Sequence, residues 1–202
     1  TGALKEACVV DVECHALVAG ARVQMRAVTA DAYGNPRDSD AGTMLISTSL
    51  VNGGGEQGTP PVSALAAGDG TYSFAVELTT AGSHTLTATF QGGTVGNTPT
   101  VLRVYPAGES AAQSFATHRG VSCVSQEQCS RELAAGEDLD YLVLARDQYD
   151  NPRTESDGGV CTFELIPSDD GNDPLLLTAT DTGTGSFSLT VSPTLAEVYT
   201  VR

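Results

Sequence analysis

The chain has 202 residues and a formal net charge of −15, with 10 Lys and Arg against 25 Asp and Glu. Phosphate contacts need clustered cations, and the basic residues here form no patch, so we expect no nucleic-acid binding. No apolar run reaches the roughly 18 residues of a membrane helix, so we expect no membrane insertion by this segment. The 22 Gly and 9 Pro, with 17% charged residues, predict short strands separated by turns, and hence an all-β sandwich.

Rows of alternating apolar residues predict the strands of the first half. Val23, Met25 and Ala27 alternate with polar residues, so one face of this strand must pack. Glycines and prolines over residues 53–61 then predict a long loop or a disordered edge. Two further rows follow the Asp69-Gly70 turn, and a closing strand is predicted at Thr100 to Tyr105. These rows are Tyr72, Phe74, Val76 and Leu78, and then His84, Leu86, Ala88 and Phe90.

A turn motif follows the first row directly, in the phrase DAYGNPR at residues 31–37. Proline cannot continue a strand ladder, and asparagine favours local side-chain hydrogen bonds, so the phrase predicts a turn between strands. Its defining residues are Asp31, Asn35 and Pro36. We interpret the motif first as a folding signal.

The same phrase returns 116 positions later as DQYDNPR, with Asp147, Asn151 and Pro152. Other features recur at an offset of 115, and an insertion in a surface loop explains such a one-residue slip. A repeat of this length predicts two β-sandwich domains in tandem. We predict the first at residues 1–106, a short linker at 107–113 and the second at 114–202.

The second repeat is predicted to be incomplete at its C-terminal strand. Two full periods need roughly 230 residues, more than the chain has. Residues 199–202 align with the third apolar row of the first repeat, so nothing corresponds to the closing strand. We therefore expect further domains before Thr1 and after Arg202 in a longer protein.

Each repeat carries a cysteine pair with five intervening residues. Cα atoms six positions apart on a straight strand would be about 20 Å apart, beyond the roughly 4.4–6.8 Å of a disulfide, so a bond requires the chain to double back. We predict local disulfides; bridges between repeats, reduced buried thiols and a zinc site, for which the spacing is wide, are the alternatives. The candidates are Cys8, Cys14, Cys123 and Cys129.

The remaining polar residues predict no catalytic or metal centre. Three histidines are scattered, without a nucleophile elbow, an HExxH motif or a phosphate loop. Calcium is considered only weakly, at Asp147, Asp150 and Asp157, because solvated turn aspartates account for the same pattern. Cys161 is predicted to be a buried apolar thiol, and no cofactor is expected.

Several motifs of the first repeat resemble the immunoglobulin-like filamin repeat: DGTYSF at 69–74, AGSHTLTATF at 81–90, GNTP at 96–99 and VLRV at 101–104. A second resemblance, to the Ig-like repeats of bacterial invasin and intimin, rests on GNP at 34–36 and AGSHTLTA at 81–88. Both resemblances imply tandem immunoglobulin-like β-sandwiches of seven to eight strands each, which are used as rods. The unit here is longer than either family's usual repeat and adds the cysteine pair.

These observations favour a non-catalytic structural or adhesive rod segment of a longer extracellular or cell-surface filament protein. Its partners would be other domains of the same chain or filament, with homo-oligomeric assembly as a possibility. The alternative is an intracellular cytoskeletal or ciliary filamin-like scaffold, which would capture partner peptides by adding a strand to a sheet edge. A third hypothesis is an accessory domain of an enzyme.

Overall fold

Each half of the chain folds into its own pair of β-sheets. The computed structural model describes residues 3–5, 16–31, 33–39, 42–52, 55–58, 62–95, 99–118, 121–122, 131–132, 135–168, 173–194 and 198–201. The contacts divide the chain into two units, Thr1–Tyr105 and Pro106–Arg202. The described residues form strands and turns, and the predicted all-β tandem fold is confirmed.

The first unit has eleven strands among its described residues. They are β1 (Ala3–Lys5), β2 (Ala16–Val18), β3 (Arg22–Val28), β4 (Met44–Asn52), β5 (Gly55–Gly58), β6 (Val62–Ser63), β7 (Leu65–Ala66), β8 (Thr71–Glu77), β9 (Gly82–Phe90), β10 (Gly93–Thr94) and β11 (Thr100–Tyr105).

Two sheets of the first unit face each other across an apolar core. One has the order β1-β3-β8-β7, and the other has the order β2-β11-β9-β4-β5, with β10 on β9 and β6 on β4. The predicted rows supply the core, because alternate residues of β8 and β9 are buried. Across the interior, the rings of Tyr72 and Phe90 meet edge to face with centroids 5.7 Å apart.

The second unit repeats this plan with nine strands among its described residues. They are β12 (Phe115–His118), β13 (Val121–Ser122), β14 (Arg131–Glu132), β15 (Leu139–Leu144), β16 (Thr162–Pro167), β17 (Leu175–Thr178), β18 (Thr180–Asp181), β19 (Ser186–Val191) and β20 (Val198–Val201).

The sheets of the second unit have the orders β13-β12-β15-β19-β18 and β14-β20-β16-β17. Buried side chains from both sheets form one cluster, with Tyr141 and Phe163 in ring contact at 5.7 Å. In the first unit, β11 lies between β2 and β9, whereas β14 pairs directly with β20 here. The edge that β11 covers in the first unit is therefore covered by β14 in the second.

The long loop predicted at residues 53–61 is wrong in part. Residues 55–58 form β5, which pairs antiparallel with β4, and Val62 pairs with Ile46. The long strand β4 offers backbone groups along its outer edge, and these residues satisfy them despite poor strand propensity. Glycine and proline content therefore misled the sequence-based prediction at this edge.

Replacing Tyr72 with phenylalanine tests one core contact that differs between the units. The Tyr72 hydroxyl donates to the Gly42 carbonyl at 2.8 Å, and Phe187 occupies the matching position of the second unit. We expect Tyr72→Phe to lower the stability of the first unit by about 1 kcal/mol, because one intramolecular hydrogen bond is lost. Urea denaturation followed by amide exchange in each unit measures this. An unchanged first unit would contradict it.

Candidate functional site

The turn motif of the second unit is organised around the carboxylate of Asp147. Its Oδ1 accepts the backbone N–H groups of Tyr149 and Asn151, each at 2.9 Å. Its Oδ2 accepts the side-chain amide of Asn151 at 2.8 Å. Asp147 N–H in turn donates to the Asn151 carbonyl at 3.0 Å. One aspartate thus closes a five-residue loop.

The first unit repeats this loop bond for bond. Asp31 Oδ1 accepts the N–H groups of Tyr33 at 2.8 Å and Asn35 at 2.9 Å. Its Oδ2 accepts the Asn35 side-chain amide at 3.0 Å. The third residue after the aspartate has a left-handed backbone in both units, with φ of 87° at Gly34 and 68° at Asp150. The motif is therefore a turn in both copies.

A second layer of backbone bonds fixes each turn to the next hairpin. In the second unit, Arg153 N–H donates to the Ala145 carbonyl, and Ala145 N–H donates to the Gly185 carbonyl, both at 3.0 Å. The first unit makes the same chain through Arg37, Thr29 and Gly70, at 3.0 and 2.9 Å. In each unit, backbone hydrogen bonds thus connect the turn to the recurring glycine, Gly70 or Gly185.

The segment that enters the second unit lies against its turn. Ala107 N–H donates to Asp147 Oδ2 at 2.8 Å, and Ser110 N–H donates to the Arg146 carbonyl at 2.8 Å. Glu109 forms an isolated antiparallel bridge with Asp147. As a result, Asp147 is completely buried. Residues 106–110, most of which the sequence suggested as linker, are bonded to the second unit in this way.

The guanidinium of Arg153 binds the backbone of the entry segment, residues 106–110. It donates to the carbonyls of Ala107 and Pro106, and it is paired with the Asp157 carboxylate. Asp157 Oδ2 also accepts the N–H of Glu109 at 3.3 Å. The sequence analysis gave no role to Arg153 or to Ala107. The recurrence of the arginine in both copies of the motif is the signal that could have identified it.

The contacts of the calcium candidates disfavour a cation site. In the described contacts, the Asp147 carboxylate accepts N–H groups. Asp157 is paired with Arg153, and Asp150 Oδ1 lies 3.0 Å from Arg146 Nη1. Calcium would have to displace these donors and cations before binding oxygen ligands. Among the described residues, no group of three or more His, Cys, Asp or Glu could hold a metal ion.

The two histidines in the described part of the chain each lie beside a backbone carbonyl. His84 is buried with Nε2 2.8 Å from the Thr80 carbonyl, and His118 Nδ1 lies 2.6 Å from the Asp140 carbonyl. The four predicted disulfide cysteines, Cys8, Cys14, Cys123 and Cys129, lie outside the described residues, so their pairing stays a prediction. Cys161 is a free thiol that packs on the second core, and burial, followed by the charge of Glu109, raises its pKa.

The pKa of Asp147 is lowered, which links the stability of the second unit to pH. Burial raises this pKa, but the N–H donors of Asn151, Ala107 and Tyr149 together outweigh it. Since the folded pKa lies below the unfolded value of about 3.9, the stabilisation is complete above that value and is lost as pH falls through the folded pKa.

We expect the second unit to lose stability as the pH falls below about 4, and Asp147→Asn to flatten that loss. Urea denaturation between pH 3 and 6 measures both. Asp181, whose pKa is lowered by its bond from Ser156, leaves a residual dependence in the variant. The first unit is the internal control, because Asp31 and Asp69 keep their own lowered pKa values there. An unaltered pH dependence in the variant would contradict the assignment.

An apolar groove lies beside β8 in the first unit, with a volume of about 430 Å³. Val62, Leu65 and Phe74 line it, and the first two are strongly exposed. Among the described residues, no histidine or cysteine lines the groove. No helix in the described parts of the chain could span a membrane.

Comparison with known proteins identifies no family. No family model matches the chain, and no curated protein matches it either. Among solved structures, the Escherichia coli adhesin FdeC matches with 16% identity and a TM-score of 0.49 over 100% of this chain and 55% of that one. The Yersinia pseudotuberculosis adhesin InvE matches with 13% identity and a TM-score of 0.43, over 99% and 50%.

Invasin, a bacterial integrin-binding protein, matches with 17% identity and a TM-score of 0.38, over 100% of this chain and 35% of that one. The chain thus spans about half or less of the length of these three structures. At such identities and TM-scores, the likeness carries no argument about function. The three matching structures are bacterial adhesins and invasin, as the resemblance to invasin-type repeats predicts. They do not show the resemblance to filamin repeats.

Proposed function

We propose that this chain is a non-catalytic rod segment of a longer multi-domain protein at the cell surface or outside the cell. Its work is to carry load or to space and present adhesive surfaces. The proposal includes the predicted array of further repeats on either side and the predicted staples within each cysteine pair.

One observation carries the proposal: the same sandwich occurs twice in series, and the entry segment of the second unit is bonded to that unit. Each unit has its own buried core, so neither depends on the other to bury apolar surface. Hydrogen bonds from residues 106–110 to the Asp147 turn, Asp157 and Arg153 make this segment part of the second unit.

The acidic charge is consistent with this role. A net charge of −15 on 202 residues favours hydration and repels like-charged neighbours, so an extended protein stays dispersed. Threonines and Ser83 cover the outer face of β9, where their side chains are partly exposed. That surface is polar and suits either solvent or a partner protein.

Antibodies against the 202-residue chain test the location. We expect them to label intact cells that produce the protein as strongly as permeabilised cells. Labelling confined to permeabilised cells would refute the surface location and favour a cytoskeletal scaffold. A non-reducing peptide map of the isolated protein, searched for Cys8–Cys14 and Cys123–Cys129 peptides, tests the staples in the same material.

A replacement experiment separates spacing from adhesion. Deleting the segment from its parent protein should reduce adhesion of those cells, and inserting an unrelated pair of sandwiches of equal length should restore it if the segment acts as a spacer. Failure of the replacement would assign a binding surface to this segment. Unaltered adhesion after deletion would contradict both roles.

A further inference from the structure

The two copies of the turn motif make the same internal bonds but differ in exposure. Tyr149 is 36% exposed and Asn151 is 5% exposed, whereas Tyr33 is 92% exposed and Asn35 is exposed as well. Asp147 is fully buried, while Asp31 is only partly buried. In the second unit, the cover comes from residues 106–110. Among the described residues of the first unit, no segment covers the Asp31 turn in this way.

Strand register shows where a covering segment would come from. In the second unit, Phe115 pairs with Leu144, and the residues before Phe115 run past Arg146 and Asp147. In the first unit, Ala3 pairs with Val28, which occupies the position of Leu144 in the repeat. An extended chain that precedes Ala3 is therefore directed at the Asp31 turn.

We propose that the Asp31 turn of the first unit binds the extended segment that precedes Thr1 in the longer protein. That segment makes the contacts that Pro106–Ser110 make on the second unit. This inference rests on the proposed array of repeats. It adds to that array a contact between the turn of a repeat and the segment that enters the repeat. Every repeat of the array then binds the segment that enters it through its own turn.

The chemistry of recognition is almost entirely that of backbone groups. One N–H of the segment donates to the carboxylate of Asp31, as Ala107 N–H does to Asp147. Segment carbonyls accept from the guanidinium of Arg37, an exposed residue at the position of Arg153. The turn therefore selects an extended strand with an N–H at one position, and proline is excluded there because it has no such donor.

The test grafts the seven residues PAGESAA, copied from 106–112, onto the N-terminus of the 202-residue chain. Amide exchange measured by NMR at Tyr33 and Asn35 is expected to slow by about ten-fold, because the graft completes the hydrogen bonds of Asp31. The matched control graft PPGESAA replaces the donating alanine with proline, and it is expected to give no slowing.

Two variants complete the design. Ala107→Pro in the ungrafted chain should speed exchange at Tyr149 and Asn151 by about ten-fold, since it removes the N–H that Asp147 accepts. Asp31→Asn in the grafted chain should cancel the gain at the first turn, because an amide nitrogen replaces the accepting oxygen. Equal exchange rates with the two grafts, or unaltered rates in Ala107→Pro, would overturn the proposal.

These outcomes are independent of the cell-surface test. A graft that fails to protect the Asp31 turn leaves antibody labelling of intact cells unaffected. Labelling only after permeabilisation would refute the surface rod without altering any exchange rate.

Discussion

Asp147→Ala is expected to destabilise the second unit by about 3–5 kcal/mol. The substitution removes the acceptor of four N–H groups, from Tyr149, Ala107 and both nitrogens of Asn151, at 2.8–2.9 Å. Each buried donor left without an acceptor costs about 1 kcal/mol or more, and the aspartate is fully buried. Urea denaturation with amide exchange resolved by unit measures the loss.

Asp31→Ala is the matched control for that variant. Asp31 accepts three N–H groups in the same loop, but its turn faces solvent, so water replaces much of what the carboxylate supplies. The first unit should therefore lose less stability than the second unit does in Asp147→Ala. An equal or greater loss would mean that the entry segment contributes nothing to the second turn.

Gly185→Ala is expected to cost about 3 kcal/mol or more. Gly185 has a φ of 72°, a left-handed conformation that costs an alanine about 1–2 kcal/mol. An added Cβ would also lie 2.6 Å from the backbone carbon and oxygen of Arg153, so the turn itself must move. That movement breaks the bond from Ala145 N–H to the Gly185 carbonyl.

A neighbouring glycine separates the two causes. Gly183 has a φ of 75°, and a Cβ there meets no atom within 4 Å, so Gly183→Ala reports the backbone cost alone. The first unit offers the same pair, because Gly70 packs on the Arg37 carbonyl and Gly68 faces open space. Each packed glycine should cost about 2 kcal/mol more than its open partner, as expected for a local clash. Equal costs would show that the packed glycines support no turn.

The turn could be predicted from sequence because its bonds are local. Asp31 and Asn35 are four residues apart, and their side chains close the loop with little help from the rest of the chain. The apolar rows were equally readable, since alternation alone decides which face of a strand is buried. Tyr72 and Phe74 are buried as those rows require.

The role of the entry segment could not be read in the same way. The motif is nearly identical in the two units, yet Asp147 is buried by Ala107, forty residues earlier, and Asp31 is not buried to that extent. Local patterns do not specify such long-range contacts. Strand β5 was not predicted for a related reason. Its residues, Gly55–Gly58, have a low strand propensity, and they form a strand because they pair with the edge of β4.

Stretching single molecules of the 202-residue chain tests the central claim, that two sandwiches with separate cores lie in series. Each unit contains about a hundred residues, and an extended chain gains roughly 3.5 Å per residue, so we expect two unfolding events of about 300–350 Å each. Asp147→Ala should lower the force of one event and leave the other unaffected. A single event that releases the whole chain at once would contradict the account.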